Sequence, residues 1–443
     1  MTDLVVHPLE KPLVGGVPVP PDRVIGHRAL LLASLCEGTS ELRSFVHGEG
    51  SVATATAMRA MGATIEEPEK GVLRVTGTGL MGLRAARVPL DCGSSGTAMR
   101  LLAGVLAGQR FASKLVGDAN LTREPMGDVA VPLRARGATV DGTPHPTIEG
   151  ELFAPLFVGP LAGDKELGPL EVAAAGAAPD VKGALLLSGL YAHGTTWFKE
   201  PALSRDHTER MLHSLGVPIR TLATMIELDP AGWDGKLPAF EMVVPGDFSA
   251  AAFVLAAAQM HEGSRVTVRG VGINPTRIGL LEIVRHMGAG LDVVPQDEQL
   301  GEPVGEVTSW HQGLRATTIA GEVVPRAVDE IAIACALAAR ASGTTKVEGG
   351  AAMARMARML RAFGVSCDES KGGLEVQGRE APLEPARFDC GGDPRMAMTA
   401  AVLALGARGP STVVDCDCIG ASFPRFVGTL RALGAKIVVN PGL

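Results

Sequence analysis

The sequence is poor in aromatic side chains, in positive charge and in paired cysteines. Phe, Trp and Tyr make up 4% of the 443 residues, so a core must be built from Ala, Leu, Val and Met. Lys and Arg number 41 against 48 Asp and Glu, which disfavours nucleic acid as a partner because phosphate neutralisation needs a basic surface. The seven cysteines form no matched CxxC pairs, so we expect reduced thiols and no metal site.

Long apolar runs are also missing. No run reaches membrane-spanning length, and the first residues, MTDLVVHPLEKP, lack the basic and apolar stretches of a signal peptide. We therefore expect a cytoplasmic protein that meets no membrane, and a monomer. A content of 46% apolar and 20% charged residues is typical of a globular chain, and the length predicts two domains.

A unit of regular length recurs six times along the chain. Each copy ends in a helix, a glycine and the start of a strand, and the six glycines lie 75, 79, 72, 76 and 70 residues apart: Gly62, Gly137, Gly216, Gly288, Gly364 and Gly434. A glycine directly after a helix is typical of a residue with positive φ. A second, more apolar helix lies upstream in each copy, such as AMRLLAGVLA, and we expect it to be buried. Six strand, helix, strand, helix, strand units therefore predict an α/β fold with three units in each domain.

The stretch LDCGSSGTAMRLL, residues 90–102, shows how one buried helix begins. Glycines remove the Cβ that would keep an anion away, and the unpaired amides of a helix N-terminus point outward. The alternative is a tight turn with an N-cap. If the three buried helices of a domain point the same way, their positive ends converge, and two such surfaces form a cleft that favours anions. Polar residues precede all six buried helices, at 22–28, 94–100, 178–182, 247–249, 326–330 and 393–395.

The phrases GHRALLLASLCEGTS, LDCGSSGTAMRLLAG, EPALSRDHTERML, VPGDFSAAAFVLAA and PRMAM resemble those of the 5-enolpyruvylshikimate-3-phosphate synthase family. The resemblance covers essentially the whole chain. It implies a two-domain inside-out α/β barrel, with the first domain formed by residues 1–21 and 244–443 and the second by residues 22–243. It also implies transfer of an enolpyruvyl group from phosphoenolpyruvate to the 5-hydroxyl of shikimate 3-phosphate, with release of phosphate and without a cofactor or metal.

The resemblance also implies which residues bind the ring. Arg28 matches the position that binds the ring carboxylate, a group that suits a guanidinium fork. Ser204 and Arg205 match the phosphate-contacting positions. Asp180 and His207 are further candidates near the ring, with the alternative that His207 is a solvated or capping residue.

Other positions match those that handle phosphoenolpyruvate and protons. Gly96, followed by Thr97, matches the backbone that approaches phosphoenolpyruvate, and Arg395 matches an arginine that binds it. Asp329 matches a carboxylate that hydrogen-bonds the ring hydroxyls and takes part in proton transfer. We expect Glu330, next to it, to be catalytic as well.

Several positions depart from the family pattern. Arg23 and Val24 replace a Lys-Ser pair, so the cation survives in altered form and the hydroxyl is lost. Glu124 stands where the family has an arginine that binds phosphoenolpyruvate, and Asp180 replaces a glutamine. In the fifth unit TTKVEGGAAMARMARML lacks the Lys-Glu-Ser/Thr-Asp-Arg run that supplies a catalytic lysine, and Ala421 replaces a late lysine.

An acid at a phosphoenolpyruvate position opposes the binding of a multiply charged anion, since like charges repel strongly in a cleft. We therefore expect one-substrate chemistry on a shikimate-type ring acid or its 3-phosphate, either elimination of water or phosphate or isomerisation, with Asp329 and Glu330 as acid and base. Two alternatives stay open. One is a functional enolpyruvyl transferase with a rearranged site in which Arg23, Arg123 and Arg395 are the cations, and the other is a non-catalytic ligand-binding homologue.

Overall fold

The computed structural model describes residues 2–176, 178–349 and 353–441. The helices, in chain order, are α1 Arg23–Leu35, α2 Glu49–Ala60, α3 Gly96–Leu106, α4 Gly127–Ala135, α5 Pro179–Gly189, α6 His207–Ser214, α7 Phe248–Ala257, α8 Gly279–His286, α9 Val323–Arg326, α10 Ile331–Ala338, α11 Met353–Ala362, α12 Pro394–Leu405, α13 Ile419–Ser422 and α14 Phe426–Ala432. The strands are β1 Thr2–Val6, β2 Val14–Pro18, β3 Thr39–Arg43, β4 Thr64–Glu69, β5 Val72–Thr76, β6 Leu90–Asp91, β7 Ser113–Val116, β8 Val140–Pro144, β9 Leu152–Val158, β10 Leu170–Ala173, β11 Thr196–Lys199, β12 Ile219–Leu222, β13 Met225–Leu228, β14 Glu241–Val243, β15 Arg265–Gly272, β16 Gly290–Gln299, β17 Glu302–Trp310, β18 Thr318–Ile319, β19 Thr344–Glu348, β20 Ser366–Ser370, β21 Gly373–Gln377, β22 Arg387–Asp389, β23 Ser411–Val414 and β24 Ile437–Pro441.

The chain divides into two compact units. Unit 1 comprises Met1–Pro20, Pro245–Asp297 and Pro303–Leu443, and unit 2 comprises Pro21–Val244 and Glu298–Glu302. The sequence-based boundaries had assigned residues 298–302 to the first domain. The structure groups this hairpin tip with unit 2, where Glu302 bonds to His207 and Gln299 accepts from the backbone of Val243.

Within the described residues the strands form six four-stranded sheets. Those of unit 2 have the orders β14-β3-β5-β4, β6-β7-β9-β8 and β10-β11-β13-β12, and those of unit 1 the orders β22-β23-β1-β24, β16-β17-β15-β2 and β18-β19-β21-β20. Each sheet of unit 2 has the same strand pairing, a parallel pair followed by two antiparallel pairs. In the sheet β10-β11-β13-β12, Leu170 lies opposite Thr196 in the parallel pair, and Thr196 lies opposite Leu228 in the first antiparallel pair. In unit 1 the N-terminal strand β1 pairs antiparallel with the C-terminal strand β24, with Leu4 opposite Val439.

The repeat seen in the sequence is confirmed in the backbone. The six glycines stand two residues after the last residue of an outer helix: α2, α4, α6, α8, α11 and α14. Their φ angles are 111°, 102°, 82°, 77°, 74° and 115°, the region in which a side chain is strained and glycine is not. Each glycine therefore ends its helix and turns the chain into the next strand.

The apolar helix of each repeat lies in the core, because it is apolar on nearly every face. Helices α1, α3 and α5 lie in the core of unit 2, which includes Leu30 and Leu186, and α7, α10 and α12 lie in that of unit 1, which includes Val254 and Leu337. Across the described ranges no helix has the length and apolar character needed to cross a bilayer.

Helices α3 and α5 of unit 2 touch backbone to backbone. A Cβ added to Gly104 of α3 would lie closer to the carbonyl oxygen of Ala184 in α5 than van der Waals contact allows. The two helices run in the same direction, since Thr97 bonds to Asp180 in their first turns and Gly104 meets Ala184 further along both helices. Gly104 therefore sets how closely two buried helices approach.

Gly104→Ala is expected to destabilise the protein by about 1–3 kcal/mol, because the added methyl forces α3 and α5 apart in a packed core. Gly428→Ala is the control: Gly428 lies inside α14 and an added Cβ there meets no atom within 4 Å. Alanine at that site should stabilise by about 0.5–1 kcal/mol through helix propensity. Equilibrium denaturation in urea measures both changes, and equal effects of the two variants would contradict the close contact.

A buried histidine makes unit 2 sensitive to acid. His27 lies in α1 with 7% of its surface exposed, and its Nδ1 is 2.9 Å from Thr54 Oγ1. Burial and then the charge on Arg28 lower the pKa of His27 from 6.5 to about 4. The unfolded chain therefore binds this proton at a higher pH than the folded chain does, so stability falls as the pH drops from 6.5 towards 4.

His27→Asn keeps a polar group near Thr54 and removes the titration. We expect the wild type to lose about 2–3 kcal/mol more stability than this variant between pH 7.5 and 4.5. Denaturation curves at the two pH values measure the difference, and the exposed His193→Asn serves as the control, which should follow the wild type. Parallel pH profiles for wild type and His27→Asn would show that His27 is not neutral in the fold.

Candidate functional site

In unit 2 the N-terminal halves of α1, α3 and α5 meet at the carboxylate of Asp180. Arg28 of α1 donates from Nη2 to Asp180 Oδ1 at 2.8 Å, and the Thr97 hydroxyl of α3 donates to Oδ2 at 2.6 Å. Arg28 Nε donates to Thr208 Oγ1 at 3.0 Å. The structure therefore brings together three of the residues predicted to bind substrate.

Arg28 is shielded from water, whereas its partner Asp180 is partly exposed. The Arg28 side chain is 3% exposed and that of Asp180 is 31% exposed. Burial opposes the ionisation of Asp180, but Arg28 and the Thr97 hydroxyl outweigh it, so the pKa of Asp180 is lowered. The guanidinium predicted to bind a ring carboxylate thus already holds a carboxylate of its own chain, which an anionic ligand has to share or displace.

Gly96, predicted to lie beside an anion, is the first residue of α3. Ser95 caps the helix, and its Oγ accepts a hydrogen bond from the amide of Ala98 at 3.1 Å. The Glu124 carboxylate and the Arg100 guanidinium fill the space where a Cβ of Gly96 would stand. Glu124 Oε2 lies 3.3 Å from Arg100 Nη1. An acid of the chain therefore occupies the place that a helix N-terminus offers to an anion.

The loop 200–206, between β11 and α6, carries the residues predicted to contact phosphate. Ser204 is buried, and both its backbone N–H and its hydroxyl donate to the Glu200 carboxylate, at 2.9 and 2.6 Å. Arg205 follows and is half-buried. His207, 1% exposed, begins α6 with Nδ1 2.8 Å from Glu302 Oε1. His207 is thus engaged inside unit 2, and its role in ring binding stays a prediction.

Arg23, the remaining predicted residue of unit 2, is the first residue of α1 and is exposed. Asp22 caps the helix and accepts from the amide of Val24 at 2.8 Å. The cation that replaces the lysine of the family pattern is therefore presented at a helix N-terminus.

In unit 1 two arginines meet three carboxylates near the starts of α7, α10 and α12. Asp329 is held from both sides: Oδ2 lies 3.0 Å from Arg277 Nη1, and Oδ1 lies 2.6 Å from Arg395 Nη2. Arg277 also lies 3.1 Å from Asp247 and 3.5 Å from Glu330. Asp329, Glu330 and Arg395, all predicted from the sequence, are thus brought into one cluster.

The two predicted catalytic carboxylates differ in their access to water. The Asp329 side chain is 15% exposed, whereas that of Glu330 is 1% exposed and accepts a hydrogen bond from the Ser249 hydroxyl. Two guanidinium groups fix the orientation of Asp329, as a general base requires. The geometry therefore suits Asp329 to proton transfer with a ligand better than it suits Glu330.

Arg277 was not predicted as a site residue, and Arg100 was predicted only as the last residue of the polar stretch 94–100, without a role of its own. Arg277 precedes the outer helix α8, whereas the polar clusters used for prediction precede the buried helices. Arg100 is a lone charge in the apolar helix α3, and a charge in such a helix is by itself a signal. The fifth-unit departure falls partly on residues 350–352, which lie outside the described residues. In the part of the chain that is described, no three His, Cys, Asp or Glu side chains are placed to hold a metal ion.

Comparisons with known proteins agree over the whole length. The family description of EPSP synthase (3-phosphoshikimate 1-carboxyvinyltransferase) matches residues 9–430. Relatives named 3-phosphoshikimate 1-carboxyvinyltransferase include one from Desulforamulus reducens, 40% identical over 97% of this chain and 99% of its own, and one from Acidithiobacillus ferrooxidans, 42% identical over 99% of both. The EPSP synthase structure from Acinetobacter baumannii superposes with a TM-score of 0.91, at 33% identity and over 100% of both chains.

These findings correct one expectation and confirm another. The expectation of one-substrate chemistry in place of enolpyruvyl transfer is wrong, because relatives about 40% identical over their full length are named as the transferase. The predicted fold class is confirmed by the Acinetobacter structure and, for the fold alone, by the enolpyruvyl transferase NikO from Streptomyces tendae, with a TM-score of 0.75 at 17% identity. The chain belongs to the EPSP synthase family of enzymes.

Proposed function

We propose that the protein is a 3-phosphoshikimate 1-carboxyvinyltransferase. In this reaction the ring 5-hydroxyl oxygen bonds to the enol carbon of phosphoenolpyruvate, the bond from that carbon to the phosphate oxygen breaks, and the hydroxyl proton is accepted by a base. The similarity over the full length to relatives of this name carries the proposal. A cytoplasmic monomer whose two units are its two domains is part of the same proposal.

Unit 2 supplies the groups that bind the ring. Arg28 presents a guanidinium fork in a nearly dry setting, where a charge-assisted bond to a carboxylate is strong. Asp180 shares that guanidinium and, together with Thr97, is placed to accept hydrogen bonds from ring hydroxyls. Ser204 and Arg205 lie consecutively in the loop before α6, and we assign the ring phosphate to them.

Unit 1 supplies the base. Asp329 has access to water, and Arg277 and Arg395 hold its two oxygens, so the carboxylate is oriented before a substrate arrives. We assign to it the proton of the ring hydroxyl. Arg395 is 56% exposed and has further N–H donors, so it can bind phosphoenolpyruvate while it holds Asp329.

The departures from the family pattern describe a rearranged phosphoenolpyruvate site. Glu124 replaces an arginine, yet Arg100 lies against Gly96 and is only 14% exposed. We assign the lost cation to Arg100, with Arg23 and Arg395 as the others. Glu124 then acts as an internal anion that phosphoenolpyruvate displaces from Arg100.

Release of inorganic phosphate tests the proposal. The purified protein should release phosphate only when shikimate 3-phosphate and phosphoenolpyruvate are both present, and its gene should restore growth to a bacterial strain that lacks the synthase. Consumption of shikimate 3-phosphate without phosphoenolpyruvate, or no turnover of the pair, would contradict it.

Asp329→Asn removes the base and keeps the shape of the side chain. We expect kcat to fall about 10²–10⁴-fold, the range typical of a general base, while shikimate 3-phosphate still binds. Steady-state kinetics and calorimetric titration measure the two effects. Asp368→Asn, at an exposed position on β20 of the same unit, is the control and should leave kcat unchanged. A kcat close to that of the wild type would remove Asp329 from the role of base.

Glu124→Gln removes the negative charge next to Gly96. We expect the KM for phosphoenolpyruvate to fall about threefold to tenfold, since repulsion between partly exposed charges a few ångströms apart is of order 1 kcal/mol. Asp141→Asn makes the same charge change at an exposed acid that pairs with Arg134, and it should have no such effect. If Glu124→Gln raised this KM instead, Glu124 would be a direct contact of the substrate rather than its competitor.

A further inference from the structure

A cluster of three buried charges joins α5, the first residue of the loop 200–206 and α6, and it has no part in the mechanism above. Lys182 Nζ lies 3.1 Å from Glu200 Oε1 and 2.7 Å from Glu209 Oε1. The side chains of Lys182 and Glu200 are fully buried, and that of Glu209 is 6% exposed. Removing charges from water is costly, and hydrophobic side chains of the same volume are often as stable, so stability alone does not account for this cluster.

The protonation of the cluster follows from its charge balance. Burial raises the pKa of Glu209 despite the attraction of Lys182. Burial disfavours the charged form of Lys182, but the two carboxylates outweigh it and raise the pKa of Lys182. Lys182 therefore stays charged and faces two carboxylates.

Glu200 is the carboxylate of the cluster that bonds to Ser204. Glu200 Oε1 accepts from the backbone N–H of Ser204 at 2.9 Å, and Oε2 accepts from the Ser204 hydroxyl at 2.6 Å. Lys182 Nζ also lies 3.5 Å from the Ser204 carbonyl oxygen. A hydroxyl has a single proton to donate, so Glu200 holds the one proton with which Ser204 could bind an anion.

We propose that Glu200 is a positioning residue that sets the affinity for the phosphorylated ring. It fixes the backbone of Ser204 and competes with the ring phosphate for the Ser204 hydroxyl proton. Lys182 makes this possible, because it compensates the Glu200 charge when the hydroxyl turns away. The inference rests on the proposed function, in which Ser204 contacts the phosphate of shikimate 3-phosphate.

Glu200→Gln tests the competition. The amide oxygen still accepts from the Ser204 N–H, while the amide nitrogen faces the Ser204 oxygen as a donor and releases its proton towards the ligand. We expect the KM for shikimate 3-phosphate to fall about fivefold, because one hydrogen bond to a charged group no longer has to be given up. The KM for phosphoenolpyruvate should change less than about twofold, and in a Ser204→Ala background Glu200→Gln should have no effect on either constant.

Glu209→Gln is the matched control, since it removes a carboxylate from the same ammonium without touching Ser204. It should leave the KM for shikimate 3-phosphate unchanged. A higher or unchanged KM in Glu200→Gln, an equal change in Glu209→Gln, or an effect that persists without the Ser204 hydroxyl would each overturn the inference.

A second pair of variants covers the case in which Glu200→Gln does not fold. Lys182→Met/Glu200→Gln and Lys182→Met/Glu209→Gln each leave one carboxylate, and only the first should show the lower KM for shikimate 3-phosphate. An active wild type without this difference between the variants overturns the role of Glu200 alone. A wild type that does not turn over the substrate pair overturns the proposed function as well.

Discussion

The contact between α3 and α5 is the constraint on which unit 2 depends. Because Gly104 has no Cβ, the two helices approach until their backbones touch. They run in the same direction, so their positive N-terminal ends come together. Thr97 and Asp180 then lie within hydrogen-bond distance, and Arg28 of α1 reaches the same carboxylate. A wider spacing would leave an unpaired buried arginine, which is costly.

In each unit the cations near the helix starts are held by anions of the same chain. Asp180 holds Arg28, Glu124 holds Arg100, and Asp329 is shared by two arginines. Such ion pairs compensate the positive charge of the arginines in the absence of a ligand. They also turn binding into an exchange of partners, so affinity depends on the difference between an internal and an external anion. The strength of one internal bond can therefore adjust the affinity for one substrate.

The departures from the family motifs were first interpreted as loss of transferase activity, and the relatives contradict that interpretation. A motif records the residue type at one position in the chain, whereas an anion responds to the sum of the charges around it. Arg100 is the last residue of the polar stretch 94–100, and only the fold shows that its guanidinium lies beside Gly96 and Glu124. A comparison of binding positions one by one assigns no role to a cation of this kind.

The six repeats, the buried and outer helices and the glycines between helix and strand follow from the order of the residues. These features depend on helical periodicity and on the φ angle of single residues, which neighbours in the chain control. The partner of each charge follows only from the folded packing. Arg28 and Asp180 are 152 positions apart in the chain. How closely separate elements approach decides that Arg28 pairs with Asp180, that Glu124 lies next to Gly96, and that Glu200 accepts from Ser204. A local sequence pattern does not predict the distances between these side chains, because the packing of whole helices and loops sets them.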